Sequence, residues 1–254
     1  MKFTVLTPAL FAALAASANA ATYSLTNAET CQLAAGQFVC HGLSSETTCN
    51  ADSSCEWTTE GGVSYCNTKE TLQTKLQADQ NAVITALTPL FQTCGSKTEA
   101  ECTGDCAWGI QQDDDGNYEA ACLPSVAKVT STLTADGAPE ALAKMFATTG
   151  VFEDINCWPK TTEATCGSGC SWDADPGDGQ RNCGVSEAKV IGEVSPICGS
   201  NGSWEAAAAN ANTTLADAQS EAAETSTDSS GSADSASRFA VLAASAVAAA
   251  SLLA

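Results

Sequence analysis

The sequence predicts a small disulfide-rich α+β protein. Its expected plan is three tandem units, each a cysteine-knotted short β-hairpin followed by a helix, and then a disordered stalk. Three observations predict this. The chain has 14 cysteines in 254 residues, an even and high count. Twelve of them recur in one order: Cys40, Cys49, Cys55, Cys66; then Cys94, Cys102, Cys106, Cys122; then Cys157, Cys166, Cys170, Cys183. Two residues beyond the third cysteine of each set stands a tryptophan: Trp57, Trp108 and Trp172.

The N-terminus supplies the reason to read these cysteines as bridges. Lys2 precedes an apolar run from Val5 to Ala16, closed by Ala18-Asn19-Ala20. That order is a secretory signal, here residues 1–20. Export places the cysteines in an oxidising compartment, where they pair. Zinc would prefer Cys-x-x-Cys pairs in a reducing one. Fourteen cysteines leave connectivity open. Pairing within each set is expected, with Cys31 and Cys198 joining neighbouring units or each other.

Unit one covers residues 21–92, unit two 93–150 and unit three 151–204. Before the second cysteine of each set comes Ser45-Glu46, Thr98-Glu99 or Thr162-Glu163. A hydroxyl followed by Glu suits a capped helical turn. After each tryptophan comes a Gly-bearing acidic stretch, which supplies the positive-φ residues of a hairpin turn. The tryptophan is expected to cover a disulfide.

Helices are expected between the knots. Asn67-x-x-Glu70 reads as a capping box ahead of Leu72, Leu76, Val83 and Leu87, which fall at helical spacing. Pro89 should kink or end that helix. After the second knot a helical stretch takes in Val126, Val129 and Leu133 up to a break at Asp136-Gly137, and another should start at Pro139 and end near Gly150. A last one runs from Ser186 to Cys198. Trp158 and Trp204 stand outside the repeat, so exposure is expected for both.

Residues 205–230 are rich in Ala, Ser, Thr, Asp and Glu with one Leu, a composition that predicts a stalk without a core. Asn201-Gly202-Ser203 and Asn212-Thr213-Thr214 are N-glycan acceptor sequons at Asn201 and Asn212. The last sixteen residues, Phe239–Ala254, carry no charge. That is short of the roughly 20 apolar residues of a span. Small residues, a spacer and a terminal apolar tail are the order of a glycosylphosphatidylinositol signal. Lipid is expected on Ser229, Ser230 or Gly231, with residues 231–254 removed as a propeptide. The protein is then expected on the outer face of the plasma membrane or in a cell wall, held by its lipid.

The formal charge of -20 repels nucleic acid and anionic lipid headgroups. One histidine, His41, and no phosphate loop or nucleophile–base pair leave nothing to carry catalysis, so no enzyme is predicted. The acidic turns are the candidate metal ligands: Asp113, Asp115 and Glu119, and Asp173, Asp175 and Asp178. Calcium or ferric iron would accept such oxygens. Solvated turns would use the same residues, and no cofactor is required.

The Thr-Glu-Ala-x-Cys, Cys-x-Trp and later Cys pattern of residues 40–198 resembles the Cys-rich repeats of surface proteins from unicellular eukaryotes. It is similar to the secreted iron-assimilation proteins of green algae, a resemblance that implies iron uptake at a cell surface. It also resembles the plexin-type cysteine-rich module in pairing a Trp with a knot cysteine, but departs from that module's Cys-x-x-Cys and its Trp next to Cys. Three functions follow as expectations: a coat, adhesion or recognition module for surface glycans or proteins; capture of cations; or a secreted inhibitor or effector.

Overall fold

The computed structural model describes residues 22–112, 117–176, 181–199 and 202–223. Helix α1 (Asn27–Val39) opens on a capping box formed by Thr26 and Glu29. A 3-10 turn carries Cys40, and Ser45 caps α2 (Glu46–Ala51). Strands β1 (Cys55–Glu60) and β2 (Val63–Thr68) form the first hairpin. Its two-residue turn is Gly61-Gly62, with φ of 60° and 84°, conformations that cost glycine least. Helix α3 (Glu70–Gly95) delivers Cys94. The second hairpin is β3 (Cys106–Gln112) with β4 (Tyr118–Pro124). Helices α4 (Val126–Ala135) and α5 (Glu140–Phe146) follow. A π-helix (Ala147–Cys157) then delivers Cys157. The third hairpin is β5 (Cys170–Trp172) with β6 (Cys183–Val185), and α6 (Glu187–Cys198) delivers Cys198.

All seven bridges are closed, and the three hairpins share one wiring. First pairs with third and second with fourth: Cys40–Cys55 and Cys49–Cys66; Cys94–Cys106 and Cys102–Cys122; Cys157–Cys170 and Cys166–Cys183. The interleaved pairs pin a helix end and a short turn to the two strands of each hairpin. In each hairpin the tryptophan stands directly opposite the fourth cysteine: Trp57 with Cys66, Trp108 with Cys122, Trp172 with Cys183. Trp57 packs on its knot and Trp172 on the main core, but Trp108 is 37% exposed. Cys31–Cys198 closes a separation of 167 residues.

The helices around the hairpins share one core. It runs from Leu25 to Ala218 and takes in the third knot, while the first two knots form small clusters of their own. Asp79 on α3 anchors the N-terminal segment to this core. It is buried and accepts the Ser24 and Leu25 backbone N–H groups at 2.6 and 2.9 Å. Asp79→Ala leaves both donors without this acceptor and should cost about 1–3 kcal/mol, read as a lower urea midpoint with unchanged m.

Several expectations are corrected. Asn67 lies in β2 and bonds the Thr68 N–H, so it caps no helix; the Glu56 carboxylate instead receives the Glu70 N–H. Pro89 does not end its helix, since α3 continues to Gly95. Gly150 does not end its helix, because the π-helix carries the chain on to Cys157.

The largest correction concerns the stalk. Residues 205–223 are not free of a core. Helices α7 (Gly202–Asn210) and α8 (Leu215–Ala223) fold back on the body, and Trp204, expected exposed, has no exposed surface. The physical reason is small side chains. Ala207, Ala208 and Ala218 are buried, and alanine lets helices approach closely without large apolar residues. Gly192 marks the closest point: a Cβ there would lie 1.9 Å from the Ala218 carbonyl oxygen. Residues 224–230 of the expected stalk lie outside the described residues.

Candidate functional site

The π-helix holds two consecutive acidic residues, Glu153 and Asp154, where two hairpins meet it. Its register is wide: the Trp158 N–H donates to the Glu153 carbonyl five residues back, at 2.9 Å. Such widened turns recur at functional sites. Strand β3 presses on the helix at Gly109, where a Cβ would lie 2.8 Å from the Asp154 carbonyl oxygen. Strand β6 touches from the other side, as the Val185 N–H donates to Glu153 Oε1 at 3.2 Å. An aromatic and cationic stack closes the corner. Tyr118 meets Trp158 edge-on at 5.1 Å between centroids, and the Arg181 guanidinium lies 4.4 Å over the Tyr118 ring.

The carboxyls are unlike ordinary surface acids. Burial pushes the Glu153 carboxyl up to about 7, against the pull of two donors, the Val185 N–H and the Trp158 side chain. Asp154 is 2% exposed, and burial followed by the neighbouring Glu153 charge holds its carboxyl well above the ordinary range. Asp154 Oδ2 and Arg181 Nε are both buried without a hydrogen-bond partner among the described residues. Burial raises Tyr118 as well, opposed by the Arg181 charge. Both carboxyls are thus harder to ionise than surface acids. Sequence reasoning missed this corner; the available signal was Glu153-Asp154 set between the apolar residues Val151-Phe152 and Ile155.

The predicted acidic ligands are placed differently. Asp113, Asp115 and Asp178 lie outside the described residues. Glu119 is exposed and accepts from Gln111 Nε2 at 2.9 Å across its own hairpin. Asp173 accepts the Asp175 N–H at 2.9 Å, a turn closed on itself, and Asp175 is exposed. The residues that end the two acidic stretches, Tyr118 and Arg181, are nonetheless stacked together. Among the described residues the grouping with metal-ligand geometry is Cys40, Cys55 and Cys66, and all three sulfurs are in disulfides. Asn212 is exposed at the turn between α7 and α8 with φ 54°, and Thr214 caps α8 by accepting the Asp217 N–H. Asn201, Ser229, Ser230 and Gly231 lie outside the described residues. No helix among the described residues is long and apolar enough to cross a membrane.

Comparison with known proteins returns no match for this chain among family models, curated proteins or solved structures.

Proposed function

We propose that the protein is an acidic extracellular module, attached to the outer membrane face by a glycosylphosphatidylinositol lipid, that serves as a coat, adhesion or recognition element. The observation that carries this reading is the pairing of all fourteen cysteines in disulfides. Such wiring suits an oxidising compartment and stiffens a body that must persist outside the cell. The common first-to-third, second-to-fourth wiring supports reading the hairpins as tandem copies of one unit. Exposed Trp108 on the second hairpin is the residue type most used as an anchor in protein recognition. Treating intact cells with a phosphatidylinositol-specific phospholipase tests the attachment. Release of the folded protein into the medium is expected; protein that stays with the membrane counts against the anchor.

A second reading, capture of calcium or ferric iron, draws support from the stacking of Tyr118 on Arg181. This contact brings the C-terminal ends of both acidic stretches to one corner of the molecule. The self-bonded Asp173 and the Gln111-bound Glu119 weigh the other way. Titrating each cation into the phospholipase-released chain by calorimetry decides it. Saturable binding at or below about millimolar supports capture, and its absence at that level removes the reading.

A further inference from the structure

A groove of opposite character lies on the acidic body. It is an open groove of about 750 Å³ between α4, the α5–π-helix junction and α6, and its walls include Val126, Thr130, Thr134, Lys144, Thr148 and Glu193. That volume falls in the range of small-molecule sites. The groove is less polar than its residue names suggest. Thr130 Oγ1 donates to the Val126 carbonyl at 3.0 Å, and Thr134 Oγ1 donates to the Thr130 carbonyl at 2.8 Å. Ser131 Oγ does the same to the Lys128 carbonyl at 3.0 Å. With the hydroxyls spent on their own helix, the threonines offer methyl groups along α4.

One end of the groove is cationic. Lys144 Nζ lies 3.0 Å from Glu193 Oε2, and Lys189 Nζ lies 3.1 Å from Glu193 Oε1. Two ammonium groups thus share one carboxylate. Lys189 is closed off, since it also donates to the Ala222 carbonyl at 3.1 Å and sits 4.8 Å over the Phe152 ring. Lys144 keeps about a third of its side chain exposed, at 32%. An ammonium has three donors, and Glu193 takes one of them. In a chain with 10 basic against 30 acidic residues, two ammonium groups here meet one carboxylate beside an apolar groove.

We propose that the groove binds a small monoanionic amphiphile, its apolar body lying along α4 and its carboxylate on Lys144. The wall from residue 126 to 135 is about 13 Å long at 1.5 Å per residue, which suits a chain of roughly ten carbons. The apolar body leaves water against threonine methyls, and the head completes the unbalanced pair of lysines.

Decanoate is the probe, titrated calorimetrically into the full disulfide-bonded chain below its micelle concentration, beside 1-decanol and decyltrimethylammonium. Decanoate should bind, decanol at least roughly tenfold more weakly, and the cation not at all. Lys144→Met should cost decanoate roughly tenfold or more and leave decanol unchanged. This variant should stay folded because Lys189 still pairs with Glu193. Thr130→Glu, on the rim of α4, should abolish decanoate binding with unchanged circular dichroism. Equal binding of the three probes, an unaffected Lys144→Met variant, or no saturable decanoate binding below about one millimolar would overturn the proposal. A dimer closed over the groove and excluding decanoate would overturn it too.

Discussion

Gly192→Ala is expected to drive α8 off α6. The added Cβ would sit 1.9 Å from the Ala218 oxygen, 2.6 Å from the Ala218 carbonyl carbon and 2.7 Å from the Ala222 Cβ. Two of these are backbone atoms, which cannot rotate away as a side-chain tip can. Overpacking usually costs about 1–3 kcal/mol when a core can shift. Here two helix backbones must separate, and their separation also loosens the Lys189 bond to the Ala222 carbonyl and the cover over buried Trp204. A loss above about 3 kcal/mol is expected, read as a fall in the denaturant midpoint and early proteolysis after residue 199. Gly95→Ala is the control. It adds a methyl to the last residue of α3 with nothing within 4 Å, and it should leave stability unchanged or slightly raised. Equal effects of the two substitutions would refute the close-contact account.

Glu153→Gln is expected to stabilise the protein at pH 8 and to flatten its pH dependence. Burial raises the Glu153 carboxyl from 4.5 to about 7, so the folded chain keeps a proton that the unfolded chain has released. The stability tied to this group is therefore fully present below about pH 4.5 and is lost as pH rises to about 7 and beyond. The span corresponds to about 3 kcal/mol. Asp154, raised by the same burial and by the Glu153 charge, acts in the same direction. Arg181 and Tyr118 also stand at this corner, where the Arg181 charge opposes the rise that burial gives the Tyr118 hydroxyl. Glutamine keeps an oxygen for the Val185 N–H and never ionises. Urea midpoints from pH 5 to 8 should fall for the native protein and far less for the variant. Parallel slopes would show that Glu153 titrates as an ordinary acid.

What was legible in the sequence follows from which interactions leave a spacing. The Cys-x-Trp repeats mark short antiparallel hairpins because a bridge and a cross-strand neighbour fix residues at constant offsets. Helices ending in Cys94 and Cys198 showed through Leu72, Leu76 and Val83, and through Val190, Ile191 and Val194, since large apolar residues at helical spacing declare a buried face. Helices α7 and α8 left no such mark. Their core residues include Ala207, Ala208 and Ala218, the last against Gly192, and alanine is common in exposed and buried helices alike. Trp204 and Leu215 were the large residues there, and two isolated residues have no period to read. The carboxyl corner was hidden for another reason. Glu153 and Asp154 are neighbours in sequence, and a regular α-helix would not set adjacent residues against one partner surface. The π register, together with Gly109 from a distant strand, brings them into one enclosed site, and neither can be read from local pattern.

The Cys31–Cys198 bridge makes the polypeptide between those residues a covalent ring. A protease cut between knots inside the ring would open it without releasing either end. Tension behaves differently on its two sides. Helices α7 and α8 hang outside the ring, held by packing and by hydrogen bonds such as Asn210 to the Phe38 carbonyl, Gln219 to Ser195 and Lys189 to the Ala222 carbonyl. A pull on the C-terminal end would peel them away first, then arrive at a sulfur–sulfur bond joined directly to α1. Beyond that point the force crosses from the last bridged residue to the first and leaves the hairpins slack. The seam between α6 and α8 is then the mechanical fuse of the molecule, and the body behind it extends no further until a covalent bond gives way.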